Sequence, residues 1–121
     1  MKLNHINLPV PDVAATRDFF ATYFGMVTFF ELPKGSLTIM RDEGGLVLNL
    51  SHFGKDAPAP FPKDFHIGFF VETRAEVDAV HARMIGDGLA VAAPRKLQGR
   101  YSFYVDAPGG IATEVSVLEM G

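Results

Sequence analysis

The chain has 121 residues, 48% hydrophobic and 21% charged, with no cysteine; this is the composition of one ordinary globular domain with enough interior to fold without staples. A disulfide scaffold, a thiolate metal site and a cysteine nucleophile are excluded. Eleven Lys and Arg against fourteen Asp and Glu give a net charge of −3, and the basic residues are scattered, so no nucleic-acid partner is expected.

Taken in chain order, Met1-Lys2-Leu3-Asn4-His5 turns polar at once and reaches Pro9 and Pro11 before a signal-peptide core could form. No segment approaches the ~18 apolar residues of a membrane helix. A cytoplasmic protein that does not engage a membrane is the expectation. A first strand carries His5-Ile6-Asn7-Leu8. Asp12 then caps a helix whose stripe Val13, Thr16, Phe20 and Tyr23/Phe24 ends at Gly25. Strands are expected at residues 27–32, 36–40 and 46–51, with Pro33-Lys34-Gly35 and Asp42-Glu43-Gly44-Gly45 as reversals. Residues 52–63, with Pro58, Pro60 and Pro62, read as a linker or surface loop.

Beyond the linker a strand is expected at 65–71. A capping box, Thr73-Arg74-Ala75-Glu76, then opens a helix running to about Ile85. In that box Thr73 accepts from the Glu76 amide and Glu76 reaches back to the Thr73 amide. Val77, Val80 and Met84 form its core stripe, and Gly86 and Gly88 stop it. Strands follow at 89–93, 100–105 and 111–118, the last after Asp106-Ala107-Pro108-Gly109-Gly110. The two halves share the order strand, helix, strand, strand, strand. His5-Ile6-Asn7-Leu8 answers His66-Ile67-Gly68-Phe69, and Gly44-Gly45-Leu46-Val47-Leu48-Asn49 answers Gly109-Gly110-Ile111-Ala112-Thr113-Glu114. The fold class is therefore α+β: two βαβββ modules, about 1–51 and 64–121 with the linker at 52–63, forming a curved mixed sheet around a cleft.

Alternation along the strands separates two faces. Ile6/Leu8/Val10, Leu46/Leu48/Leu50, Phe65/Ile67/Phe69/Val71 and Ile111/Thr113/Val115/Val117 suit a core under the helices, joined by Phe103 and Val105. His5, Asn49, His66 and Glu114 fall on the other face with Ser102 and Tyr104, and Thr38 and Met40 are expected to join them. Two imidazoles and a carboxylate on a helix-free sheet face are what a divalent metal needs, with positions left open to water or substrate. Taken singly, each of these residues has a plain structural role open to it: a hydrogen-bonded histidine, a solvated glutamate, a tyrosine packed with a wet tip.

The histidine at the start of each half and the Asp-x-Pro-Gly-Gly turn before Glu114, with Ser102-Phe103-Tyr104 upstream, resemble the vicinal oxygen chelate superfamily. That group includes glyoxalases, epimerases, extradiol dioxygenases, fosfomycin-modifying transferases and bleomycin-binding proteins. The resemblance covers essentially the whole chain and implies metal ligands at His5, His66 and Glu114. Asn49 falls in a fourth slot that glyoxalases usually fill with glutamate. The metal implied is Mn, Fe, Co, Ni or Zn. The activity implied is that of a metal-dependent lyase, isomerase, dioxygenase or transferase acting on a small substrate with vicinal oxygens. Glu114 and Tyr104 are the candidate catalytic residues; Asn49, Ser102, Arg100 and Phe70 are the candidates for holding the substrate. A homodimer, with modules exchanged between subunits in some relatives, is also implied. The alternative is a protein that sequesters an antibiotic or metabolite without turnover. Arg41 is a weaker candidate for a substrate anion, Phe53 for a pocket wall and Phe61 for a lid. His52 and His81 are expected to be incidental.

Overall fold

A computed structural model describes residues 1–119; Met120 and Gly121, the end of the second expected module, lie outside the described residues. The chain divides into two compact units between Pro60 and Phe61. The first contains β1 (His5–Pro9), α1 (Val13–Phe24), β2 (Val27–Glu31), β3 (Leu37–Arg41) and β4 (Val47–Ser51). The second contains β5 (His66–Phe70), α2 (Arg74–Gly86), β6 (Arg95–Leu97), β7 (Arg100–Ala107) and β8 (Ile111–Leu118). Each builds a four-stranded mixed sheet, in the order β1-β4-β3-β2 and β5-β8-β7-β6, so the two are topological copies. In each, the first strand runs parallel to the last, which the intervening helix makes possible by carrying the chain back across one face. The sequence expectation of paired βαβββ modules thus describes the fold.

Local chemistry explains where the elements begin and end. The Asp12 carboxylate accepts from the Ala15 amide at 2.9 Å, and Gly25, at φ +66°, closes α1 by donating to the Phe20 carbonyl. Val13, Thr16, Phe19 and Phe20 are buried on the face of α1 that meets β3 and β4. Around them Val10, Met40 and Leu50 are fully enclosed. In the second unit Thr73 accepts from the Glu76 amide at 3.1 Å, and Val77 and Met84 seat α2 against β7 and β8 over Val105, Ile111 and Val115. The Glu76 carboxylate does reach back, but one residue further than expected: it accepts from the Glu72 amide at 2.8 Å rather than from Thr73.

Two other expectations are corrected. Residues 89–93 form no strand; the edge strand is β6. The Leu89 amide is bonded back to the Met84 carbonyl at the end of α2, the Val91 carbonyl accepts from His81 Nε2 at 3.3 Å, and Pro94 has no N–H to offer a ladder. Thr38 and Met40 lie on the core face, not with the histidines. The β3–β4 register sets them opposite Leu50 and Leu48, and both are buried. The Thr38 hydroxyl is satisfied there by donating to Glu31 Oε1 at 3.1 Å, beside the Arg17–Glu31 ion pair.

Candidate functional site

In the second unit the helix-free face is set by register. Glu114 on β8 stands between Gly68 on β5 and Tyr104 on β7, while His66 lies one pleat away opposite Ala112 and Ser102 opposite Ser116. Glu114 is only 8% exposed, and a carboxylate that deep requires a partner. It has one: Arg100 Nε donates to Oε2 at 2.7 Å. The Arg100 guanidinium is held above its ordinary pKa by Glu114 first and by Tyr104 second. Oε1 faces Gly68, which sets no side chain against it. The His66 and Tyr104 rings meet edge to face, 5.7 Å apart between centroids. The structure therefore brings His66, Tyr104, Glu114 and Arg100 together on one sheet face.

The equivalent face of the first unit is chemically different. Asn49 occupies the place of Glu114, opposite Asn7 on β1 and Ile39 on β3. Asn7 Nδ2 donates instead to Ser51 Oγ at 3.1 Å. A hollow of about 450 Å³ opens here, with Asn4, His5 and Asn49 as its polar groups and Phe29, Ile39 and Val47 as an apolar wall. Asn49 Oδ1 is buried without a hydrogen-bond partner among the described residues, as is Ser102 Oγ in the second unit. Buried polar atoms without a protein partner are uncommon, and each is a place where a further polar group can bind.

The two histidines share one decisive feature. His66 Nδ1 lies 3.2 Å from the Asp64 carbonyl, and His5 Nδ1 lies 2.6 Å from Asn4 Oδ1. Both partners are acceptors, so Nδ1 carries the proton in the neutral ring and Nε2 presents a bare lone pair. A metal-ligating histidine has the same second-atom arrangement. Taken residue by residue, these imidazole nitrogens and the second carboxylate oxygen of Glu114 are donors of the kinds that divalent cations accept. Among the described residues, three or more His, Asp or Glu side chains do not gather into one metal-holding cluster; His5 belongs to the first unit, His66 and Glu114 to the second.

Of the other candidates, Phe70 lies on the His66 face and is 70% exposed. Arg41 stacks over Phe29 at 5.6 Å. His81 packs edge to face on Phe103 besides holding Val91, and His52 Nδ1 lies 3.0 Å from the Val10 carbonyl, so both serve the scaffold. Phe61 stacks on Phe65, and Phe53 is exposed. Sequence reasoning missed Asn4, Asp64 and Gly68. A glycine inside a strand, alongside the glutamate of the neighbouring one, was the available signal for Gly68; Asn4 acts through its side chain on the adjacent His5 and Asp64 through its backbone carbonyl, and neither contact carries a pattern.

Comparison with known proteins follows the same lines. The family model for the Glyoxalase/Bleomycin resistance protein/Dioxygenase superfamily matches residues 2–115. A structure described as a possible glyoxalase from Bacillus cereus is 39% identical, with 95% of this chain and 97% of that one covered and a TM-score of 0.85. Lactoylglutathione lyase from Agrobacterium tumefaciens is 26% identical over 96% of this chain and 92% of its own, with a TM-score of 0.75. The fosfomycin resistance protein FosX from Listeria monocytogenes, 23% identical, shares the fold at a TM-score of 0.78, with 99% and 95% covered. No functionally curated protein matches the chain. No helix among the described residues is long and apolar enough to cross a membrane.

Proposed function

The chain belongs to the glyoxalase/bleomycin resistance protein/dioxygenase superfamily, and from that premise we propose that it is a metal-dependent enzyme of glyoxalase type acting on a small substrate with two adjacent oxygens. The observation that carries the proposal is the matched pair of histidines. They hold the same place in both repeats, and each has Nδ1 tied to an oxygen acceptor and Nε2 free.

His5 and His66 would hold the metal through Nε2, and Glu114 through its uncommitted oxygen. Manganese, iron, cobalt, nickel and zinc all suit that donor set. When bound, a divalent cation supplies Lewis acidity, stabilising negative charge that develops on a substrate oxygen. The remaining work falls to the chain. Asn49 cannot take up a proton, so a scheme with a base in each repeat is closed, and proton handling would rest on the Tyr104 hydroxyl and on Glu114 when its uncommitted oxygen is not holding the metal. Asn49 and Ser102 orient polar groups of the substrate. Within the second unit Phe70, and within the first the wall of Phe29, Ile39 and Val47, offer apolar surface to a substrate. Lyase chemistry has the support of the Agrobacterium relative. The ligands come from both repeats, supplied by one chain or by repeats exchanged within a homodimer.

The test is product formation by metal-stripped protein reloaded with each of the five metals, with lactoylglutathione formation as the first assay. Activity that appears only with metal and vanishes in Glu114→Ala supports the proposal; metal-independent activity refutes it. The apolar wall of the first unit favours one second reading, stoichiometric sequestration of an apolar ligand. That reading predicts saturable binding of one ligand per hollow, no turnover and no response to metal.

A further inference from the structure

The Arg100–Glu114 pair does more than satisfy a buried acid: it distinguishes the two oxygens of the carboxylate. Glu114 is nearly buried, yet its partner guanidinium is about a third exposed, with side-chain accessibilities of 11% and 36%. A buried carboxylate left unpaired is costly, so the pair first of all satisfies Glu114. It also has a geometric effect. Nε fixes Oε2, and Gly68, which has no side chain, lies on the side of Oε1. Arg100 and Tyr104 occupy alternate positions of β7 on the Glu114 face, with Ser102 between them. The contact is made through Nε alone, so it commits one carboxylate oxygen and leaves the other to a second partner. The first unit has no counterpart of this device: the residue in the place of Glu114 is the neutral Asn49.

Resting on the metal-site reading above, we propose that Arg100 is a positioning residue, which commits Oε2 of Glu114 to itself and thereby aims Oε1 as the single ligating oxygen. Its effect is on metal binding and its geometry, exerted through Glu114.

Cobalt tests this, because its visible absorption reports coordination independently of turnover. Co²⁺ affinity and spectrum are measured in the wild-type full chain and in Arg100→Met, Arg100→Gln, Arg100→Lys and Glu114→Ala. Arg100→Met, which neither donates nor carries charge, is expected to bind Co²⁺ about tenfold more weakly and with an altered spectrum, the usual scale for losing an outer-shell partner. Arg100→Gln keeps a donor without the charge, and Arg100→Lys keeps both; at least one should return the wild-type spectrum. Should Arg100→Met fail to fold, the Gln and Lys variants still decide the matter, since a positioning role predicts that their affinity tracks their spectrum. Wild-type affinity and spectrum in Arg100→Met, alongside loss in Glu114→Ala, would overturn the positioning role and leave the metal site intact. Tighter binding in Arg100→Met would show that Arg100 competes for the carboxylate, which also overturns it. If wild type and Glu114→Ala bind Co²⁺ alike, the metal site and the positioning role fall together.

Discussion

Gly68→Ala separates what the site needs from what the fold needs. Gly68 sits in mid-strand on β5 opposite Glu114, and its φ lies outside the left-handed region. A methyl built there would meet Glu114 Cβ and Oε1 at 3.6 Å and the Glu114 carbonyl oxygen at 3.7 Å, which is ordinary contact rather than a clash. The substitution should therefore be accepted. By restricting the unfolded chain it should add about 0.5–1 kcal/mol of stability, a rise of about 2–4 °C in Tm for a domain of this size. The same methyl covers the open side of Oε1. A metal must come within about 2 Å of a carboxylate oxygen, so divalent-metal affinity should fall about tenfold while the protein becomes more stable. Calorimetric melting and metal titration of the same preparations measure both. A drop in Tm would mean that the space beside Glu114 is tighter than ordinary contact. Unchanged metal affinity would mean that Oε1 is not the ligating oxygen.

Phe20→Ala, which removes a fully buried ring packed on Phe19 and Phe24, should cost about 3–5 kcal/mol in denaturant unfolding; a loss under 1 kcal/mol would contradict the placing of the core. Thr73→Ala removes the cap that accepts from the Glu76 amide and should cost about 1 kcal/mol, visible as a lower urea midpoint with an unchanged slope. The carboxyls of Glu31 and Glu119 are held below their ordinary 4.5 by hydrogen bonds from Arg17 and Arg74. A lowered folded-state pKa contributes stability that is present above 4.5 and is lost as pH falls through the folded value. Tm should thus decline in acid below about pH 4.5, by a modest and salt-sensitive amount because Glu31 is exposed and Glu119 is only partly covered; Arg17→Met with Arg74→Met should flatten that decline, and a decline left unchanged would refute the assignment.

The repeat was legible because each half repeats both its turn chemistry and its parity. Asp12 and Thr73 cap, Gly25 stops, and paired glycines precede Asn49 and Glu114. Parity placed His5, Asn49, His66, Ser102, Tyr104 and Glu114 on the helix-free faces, because a half-buried strand leaves an alternation that composition cannot hide. It failed at Thr38 and Met40, where a β-branched polar residue and a flexible apolar one fit either face. Only the register against Leu50 and Leu48 decides between them. It failed again at 89–93, an apolar run that α2 ties up before any ladder can form. The Arg100–Glu114 pair spans two strands, and no local pattern announces such a contact. The tautomers of His5 and His66 depend on Asn4 and on a backbone carbonyl, and a backbone atom leaves no mark in a sequence.

The central claim is that two imidazoles and one carboxylate, drawn from both repeats, hold a divalent metal. Elemental analysis of untagged protein, equilibrated with each metal and freed of excess, measures this directly beside His5→Ala, His66→Ala and Glu114→Ala. The account predicts close to one metal per chain in the wild type and marked loss in all three variants, each still folded. Equal metal content in wild type and variants, or none in any, would contradict it.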